Sequence, residues 1–128
     1  MAEAVGRELA SRGCIVVCGG LGGVMAAACR GAKEAGGTTV GILPGSDRDA
    51  ANQWVDVALP SGLGEARNAL VVRAADALVA VGGGFGTLSE IALALKAGKR
   101  VVGLDTWNVD AIVTASSALE AVEAALTS

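Results

Sequence analysis

Residues 77–90 read A-L-V-A-V-G-G-G-F-G-T-L-S-E, and this stretch decides the fold. Ala77 to Val81 is an unbroken apolar run, as a strand requires when both of its faces are covered. The run stops at Gly82, Gly83 and Gly84, and an amphipathic pattern resumes through Ile91, Leu93 and Leu95. Strand, glycine turn and helix in that order aim unpaired N–H groups and the positive end of the helix dipole into the turn, where an anion is the natural occupant. Glycines belong there because backbone that bends sharply and admits a ligand to its amides has no room for Cβ atoms.

The arrangement occurs twice. Cys14 to Cys18 predicts a strand that runs into Gly19, Gly20, Gly22 and Gly23, and Val24, Met25, Ala28, Cys29 and Ala32 mark the inner face of the next helix. Elsewhere, helices are expected over Ala2–Arg12, Glu65–Ala75 and from Ser117, where S-A-L-E has capping-box spacing, to Leu126. Strands are expected over Thr38–Leu43, Val55–Leu59 and Arg100–Leu104, with one helical turn within 46–52 and a loop over Asp105–Asp110. Alternating strands and helices, with the strands apolar on both faces, predict an α/β fold: a Rossmann-like doubly wound parallel sheet in a three-layer α/β/α arrangement. No linker divides the chain, so residues 1–128 are expected to form one domain.

Ligands of such sheets bind outside the C-terminal strand ends, where both glycine clusters fall. The expected phosphate or nucleotide pocket therefore draws on Gly19, Gly20, Gly22 and Gly23 from one turn and on Gly82, Gly83, Gly84, Gly86 and Thr87 from the other. The chain opens on a helix, however, so the usual first strand of the sheet is lacking. That strand would lie between the Cys14–Cys18 and Ala77–Val81 strands, and its loss leaves two rows of backbone groups to be paired. The expectation is that these two strands pair directly within a dimer, the alternatives being a strand borrowed from another copy or one encoded ahead of Met1.

Composition narrows the chemistry. Hydrophobic residues make up 52% and aromatics only 2%, so the core must be Val, Leu, Ile and Ala. Ten Lys and Arg against 13 Asp and Glu give a net charge of −3 with no basic face, which weighs against nucleic acid. No apolar run reaches the roughly 18 residues of a membrane helix, and a cytoplasmic protein is expected. Cys14, Cys18 and Cys29 lack CxxC spacing and come with no His, so buried thiols are expected, with neither a metal site nor a disulfide framework. With no His or Tyr, catalysis falls to carboxylates, Lys, Arg, Cys or amides.

Neither glycine cluster fits G-x-G-x-x-G, because Thr87 and Met25 stand where the third glycine would, and Gly98-Lys99 is followed by Arg100 rather than Ser or Thr. Dinucleotide and P-loop sites are thereby disfavoured. The residues left to do chemistry are Arg67, Asn68 and Glu90. Thr87-x-x-Glu90 also has the spacing of a capping box, which would give Glu90 a structural role. Arg67 stands in a first helical turn, where a cation opposes the dipole, and a residue placed against its local preference marks a site that needs positive charge.

C-G-G-L-G-G-V-M at 18–25, G-I-L-P-G at 41–45, G-E-A-R-N at 64–68 and V-G-G-G-F-G-T-L-S-E-I-A-L-A at 81–94 together resemble the superfamily of the Lonely Guy (LOG) phosphoribohydrolases, also labelled lysine-decarboxylase-like. Within it, the chain is most similar to the branch containing molybdenum-cofactor carrier proteins. The resemblance implies a Rossmann-like sheet, a homodimer or higher homo-oligomer, and a small phosphorylated ligand gripped by the second glycine turn. The ligand implied is an AMP-like nucleotide or molybdenum cofactor, and no cofactor is expected to be required. It also implies catalytic positions at Arg67 and Glu90, with Asn68 on the ligand, for cleavage of the N-ribosidic bond of a nucleoside 5′-monophosphate. Val81 stands where LOG enzymes carry proline, and Arg67 has no neighbouring His or Lys, so binding follows from the resemblance more directly than catalysis. Lysine decarboxylation is disfavoured, because Lys33, Lys96 and Lys99 fall along or at the ends of helices away from the glycine edge.

Overall fold

The computed structural model describes residues 1–127. Strands β1 (Val16–Cys18), β2 (Thr39–Leu43) and β3 (Val57–Pro60) form one sheet with β2 in the middle; β4 (Ala77–Gly82), β5 (Arg100–Thr106) and β6 (Val113–Ala115) form a second with β5 in the middle. Every pairing within them is parallel. Helices α1 (Ala2–Ser11), α2 (Val24–Glu34) and α5 (Ala118–Leu126) cover one face, and α3 (Arg67–Ala74) and α4 (Phe85–Lys96) cover the other. The α/β class, the parallel pairing and the three layers are those expected from the sequence.

Burial explains the placement of β5. Val101, Val102, Gly103 and Leu104 are all buried, as a strand flanked by two others and capped by helices on both faces must be. One core joins Val5 of α1 and Ala121, Val122 and Ala125 of α5 to Val102 and Leu104. The other packs Val72 of α3 and Ile91 and Ala94 of α4 on Ala80 and Val101. β6 escaped the sequence reading because V-T-A is too short to show a period, while β5 runs two residues further, to Thr106. The α5 cap is as expected: the Ser117 hydroxyl accepts the Glu120 amide at 3.1 Å.

β1 and β4 do not pair, so the direct pairing expected from the sequence is overturned. The order is β3-β2-β1, then an open gap, then β4-β5-β6. The cause lies in the helix layer. α1 sits between α2 and α5, and its Ala2, Val5 and Leu9 face the gap. A helix is about 10 Å across and adjacent strands are about 4.8 Å apart, so α1 seated between α2 and α5 opposes closure of the strands below it.

Glycines fix that seat. A Cβ on Gly6 would lie 1.9 Å from the Ala28 carbonyl oxygen, and one on Gly31 would lie 1.9 Å from that of Glu3. The helices meet backbone to backbone, tied at the surface by Arg7, which donates to Glu34 at 2.7 Å and Glu3 at 2.9 Å. Gly31→Ala should therefore lower stability in urea melts by about 1–3 kcal/mol through forced separation of α1 and α2. Gly45→Ala, with open space around it, should stay within about 0.5 kcal/mol of the parent. Equal effects of the two substitutions would show that α1 and α2 do not meet at these glycines.

Candidate functional site

Parallel strands bring both glycine turns to one edge. β1 ends at Cys18 and passes through Gly19–Gly23 into α2; β4 ends at Gly82 and passes through Gly83 and Gly84 into α4. A cavity of about 1610 Å³ opens between the two half-sheets, and Cys18, Gly19, Arg67, Gly84, Thr87 and Glu90 line its upper part. Asn68 and Gly86 line it too, whereas Gly20, Gly22, Gly23, Gly82 and Gly83 do not.

The first turn is held from below. Gly20 has φ +77°, and a Cβ there would meet Leu43 at 2.8 Å, so this glycine serves the packing of the turn against β2. Asn52 fastens the same turn: its backbone N–H donates to the Gly20 carbonyl at 2.8 Å and its side-chain amide to the Leu21 carbonyl at 2.9 Å. Sequence reading missed Asn52, which sits in a polar stretch without a motif. Gly22 and Gly23 are exposed at the rim.

Gly19 is glycine for Arg67. A Cβ there would lie 2.6 Å from the Arg67 guanidinium, so the side chain lies directly on the turn. Arg67 is the first residue of α3, as anticipated, and donates to the Asn68 side-chain oxygen. Its Nε is buried without an acceptor, and it joins no ion pair among the described residues. The side chain as a whole is half-buried, and it lines the cavity.

The capping role expected of Thr87 and Glu90 is overturned. α4 starts three residues earlier than a Thr87 cap would place it, at Phe85 with Gly84 as its N-cap, and no side chain caps it. Thr87 lies within the first turn, and Glu90 points to the cavity instead of back to the helix end. Burial pushes the Glu90 carboxyl above the ordinary range, and the nearby Arg67 charge pulls it only partly back.

Two aromatics lie beside the second glycine turn, outside the cavity lining. Trp107 donates its indole N–H to the Gly84 carbonyl at 3.0 Å, and Phe85 stacks on Trp107 at 5.8 Å while 82% exposed. The sequence reading placed Trp107 in a loop and gave Phe85 no role, since nothing in their spacing joins them.

The thiols depart in part from expectation, because Cys29 is buried but Cys14 and Cys18 are only half-buried. Cys18 and Cys29 lie 3.5 Å apart, sulfur to sulfur. The hydrogen bond from Cys29, helped by the Gly20 amide, lowers Cys18 to about 7, and the same contact together with burial pushes Cys29 up. Lys33 binds the Gly37 carbonyl and Asp56, Lys99 binds the Val72 and Arg73 carbonyls, and Lys96 lies in the last turn of α4. None of these lysines lines the cavity.

Glu90 yields a pH test. Its folded-state pKa is raised, so the stability it contributes is present below the ordinary carboxylate value and is lost as pH rises through the raised one. Across melts from about pH 3 to 8, Glu90→Gln should gain stability relative to the parent through that window and level off above it. A constant difference would mean that the fold does not raise the Glu90 carboxyl.

The model of the SLOG cluster4 family matches residues 1–127. An uncharacterised protein of Archaeoglobus fulgidus is 49% identical over 104 residues, which cover 81% of this chain and 68% of that protein. Among solved structures, the molybdenum cofactor binding protein of Rippkaea orientalis is 38% identical with a TM-score of 0.90, over 95% of this chain and 82% of its own. The molybdenum cofactor carrier protein of Chlamydomonas reinhardtii is 41% identical with a TM-score of 0.88, over 97% and 83% respectively.

Proposed function

The chain belongs to the SLOG cluster4 family, within the LOG-like superfamily and on its molybdenum-cofactor carrier branch, and from this premise we propose that it binds a small phosphorylated ligand, a nucleotide or a pterin phosphate, as a carrier. The observation that carries this reading is the half-buried guanidinium of Arg67 against Gly19, in no ion pair among the described residues and lining the same cavity as the N-terminal turn of α4. A phosphate seated there receives charge-assisted hydrogen bonds from Arg67 and faces the amides at Gly84 to Thr87. The exposed Phe85 face offers a flat surface to a nucleobase or pterin ring. Molybdenum cofactor fits this donor set as cargo, since its pterin carries a phosphate and needs no thiolate or imidazole from the protein to be held by it. We place the protein in the cytoplasm, working as a homodimer, with neither nucleic acid nor membrane as partner.

Arg67→Ala should weaken binding of AMP or molybdenum cofactor by about 1.5–3 kcal/mol, roughly 10- to 150-fold. The ligand-free fold should be as stable or slightly more so, because a cation leaves the first turn of α3. Calorimetric titration and thermal melts read both quantities, and unchanged affinity would put the phosphate elsewhere.

Glu90 favours a second reading. A carboxyl that caps nothing, faces the cavity and lies within the field of Arg67 is placed to steady a developing oxocarbenium ion and direct water, as in cleavage of a nucleoside 5′-monophosphate to free base and ribose 5-phosphate. On that reading Glu90→Gln abolishes base release while the protein still binds AMP. A parent protein inert toward a panel of nucleoside monophosphates would leave the carrier reading alone.

A further inference from the structure

Two of the three thiols form a pair that phosphate binding does not use. Cys18 is the last residue of β1 and Cys29 lies within α2, and their sulfurs approach to 3.5 Å. Their surroundings differ. Cys18 is half-buried and lines the cavity, whereas Cys29 has no exposed surface. The Gly20 amide donates to the Cys18 sulfur at 3.3 Å, so the first glycine turn leans on that thiol. Cys14 makes no thiol contact among the described residues.

We propose that Cys18 and Cys29 are a dithiol that reacts with small hydroperoxides, Cys18 as the attacking thiol and Cys29 as the thiol that resolves it to a disulfide. A hydroperoxide that enters the cavity reaches Cys18 and not Cys29. With hydrogen peroxide, the Cys18 thiolate attacks one oxygen and the O–O bond breaks. Cys18 becomes a sulfenic acid, and the departing hydroxide takes up the proton that the thiol had released, giving water. The Cys29 sulfur then attacks the Cys18 sulfur, the S–O bond breaks, and the hydroxide leaves with the Cys29 proton as a second water. Two electrons pass from the thiols to the peroxide. The reaction stands whether or not the cavity holds a phosphorylated ligand.

Each step has a structural basis. The nucleophile is the thiolate, and the hydrogen bonds from Cys29 and the Gly20 amide outweigh burial to hold Cys18 at about 7. The Arg67 charge adds to this effect and the Glu90 charge opposes it. Cys29 is pushed up by the Cys18 contact, by burial and by the Cys18 charge. Oxidation of Cys18 to a neutral sulfenic acid removes that charge, so Cys29 becomes easier to ionise at the stage where it must attack. A separation of 3.5 Å is that of a near-attack pair, and closing it to the roughly 2.05 Å of a disulfide moves the sulfurs by about 1.5 Å. Because α2 and α3 cover opposite faces, the end of β1 is drawn toward α2 and away from the α3 side. The Gly20 amide also loses a charged acceptor, since a disulfide sulfur carries no charge. Oxidation therefore loosens the first glycine turn.

The test treats reduced protein, freed of reductant, with equimolar hydrogen peroxide near neutral pH. The product is denatured, its free thiols are blocked, and chymotrypsin cuts after Leu21, which parts Cys18 from Cys29. In Cys14→Ser the two peptides should stay joined until dithiothreitol is added; in Cys18→Ser they should part at once. Cys29→Ser cannot close the bond and should hold a sulfenic acid that dimedone traps at Cys18, and Cys29→Ala should do the same if the serine variant does not fold. The parent should lose thiols at least about tenfold faster than Cys18→Ser. The Gly20 amide should exchange roughly tenfold faster in the oxidised protein than in the reduced one. The proposal is overturned if the Cys14→Ser peptides separate without dithiothreitol, if those of Cys18→Ser stay joined, or if Cys18→Ser loses thiols as fast as the parent. It is equally overturned if dimedone labels neither Cys29 variant at Cys18, or if Gly20 exchanges alike in both states.

Discussion

A helix is about twice as wide as the spacing of strands, and this mismatch governs the molecule. α1 is wedged between α2 and α5, and at Gly6 and Gly31 it approaches α2 so closely that a single Cβ would strike a carbonyl oxygen. With the helices locked at that separation, the strands beneath cannot draw together. The sheet stays in two halves, and the cavity between β1 and β4 follows from packing decided in the layer above.

The same geometry sets the electrostatics of the site. Parallel strands bring their C-terminal ends to one edge, so α2 and α4 both begin there with unpaired amides. Arg67 adds a full charge at the start of α3, against the preference of that helix, and Gly19 is cut back to let it lie on the turn. Glu65, Asp76 and Glu90 also line the cavity, and burial raises the Glu90 carboxyl while the Arg67 charge lowers it. The turn amides and the Arg67 guanidinium together favour an anion at the mouth.

The fold was legible because its signal is repeated. Two apolar runs stopping at glycine clusters and resuming as helices gave the strand direction, the shared edge of the two glycine turns and most element boundaries within a few residues. The pairing of β1 with β4 was not legible, because nothing in Val16–Cys18 or Ala77–Val81 encodes the width of a helix seated above them. The supposed cap at Thr87 failed for a local reason: with glycines at 82, 83 and 84, the helix can start at Phe85 without a side-chain cap, and the T-x-x-E spacing becomes incidental. Asn52, Phe85 and Trp107 were missed because each acts through a partner more than twenty residues away or through exposure, neither of which leaves a period in the sequence.

The gap and the site are coupled through their shared walls. Gly19 hangs from the β1 half-sheet, Gly84, Thr87 and Glu90 belong to the β4 half, and Arg67 opens the helix that packs beneath both. A phosphate held by Arg67 on one side and the α4 amides on the other would bridge two units that no backbone ladder joins. Binding energy would then appear as resistance of the halves to separation, since a ligand that binds only the assembled form stabilises it by RT ln(1 + [L]/Kd). The split sheet thus places the cost of orienting the two turns on the ligand.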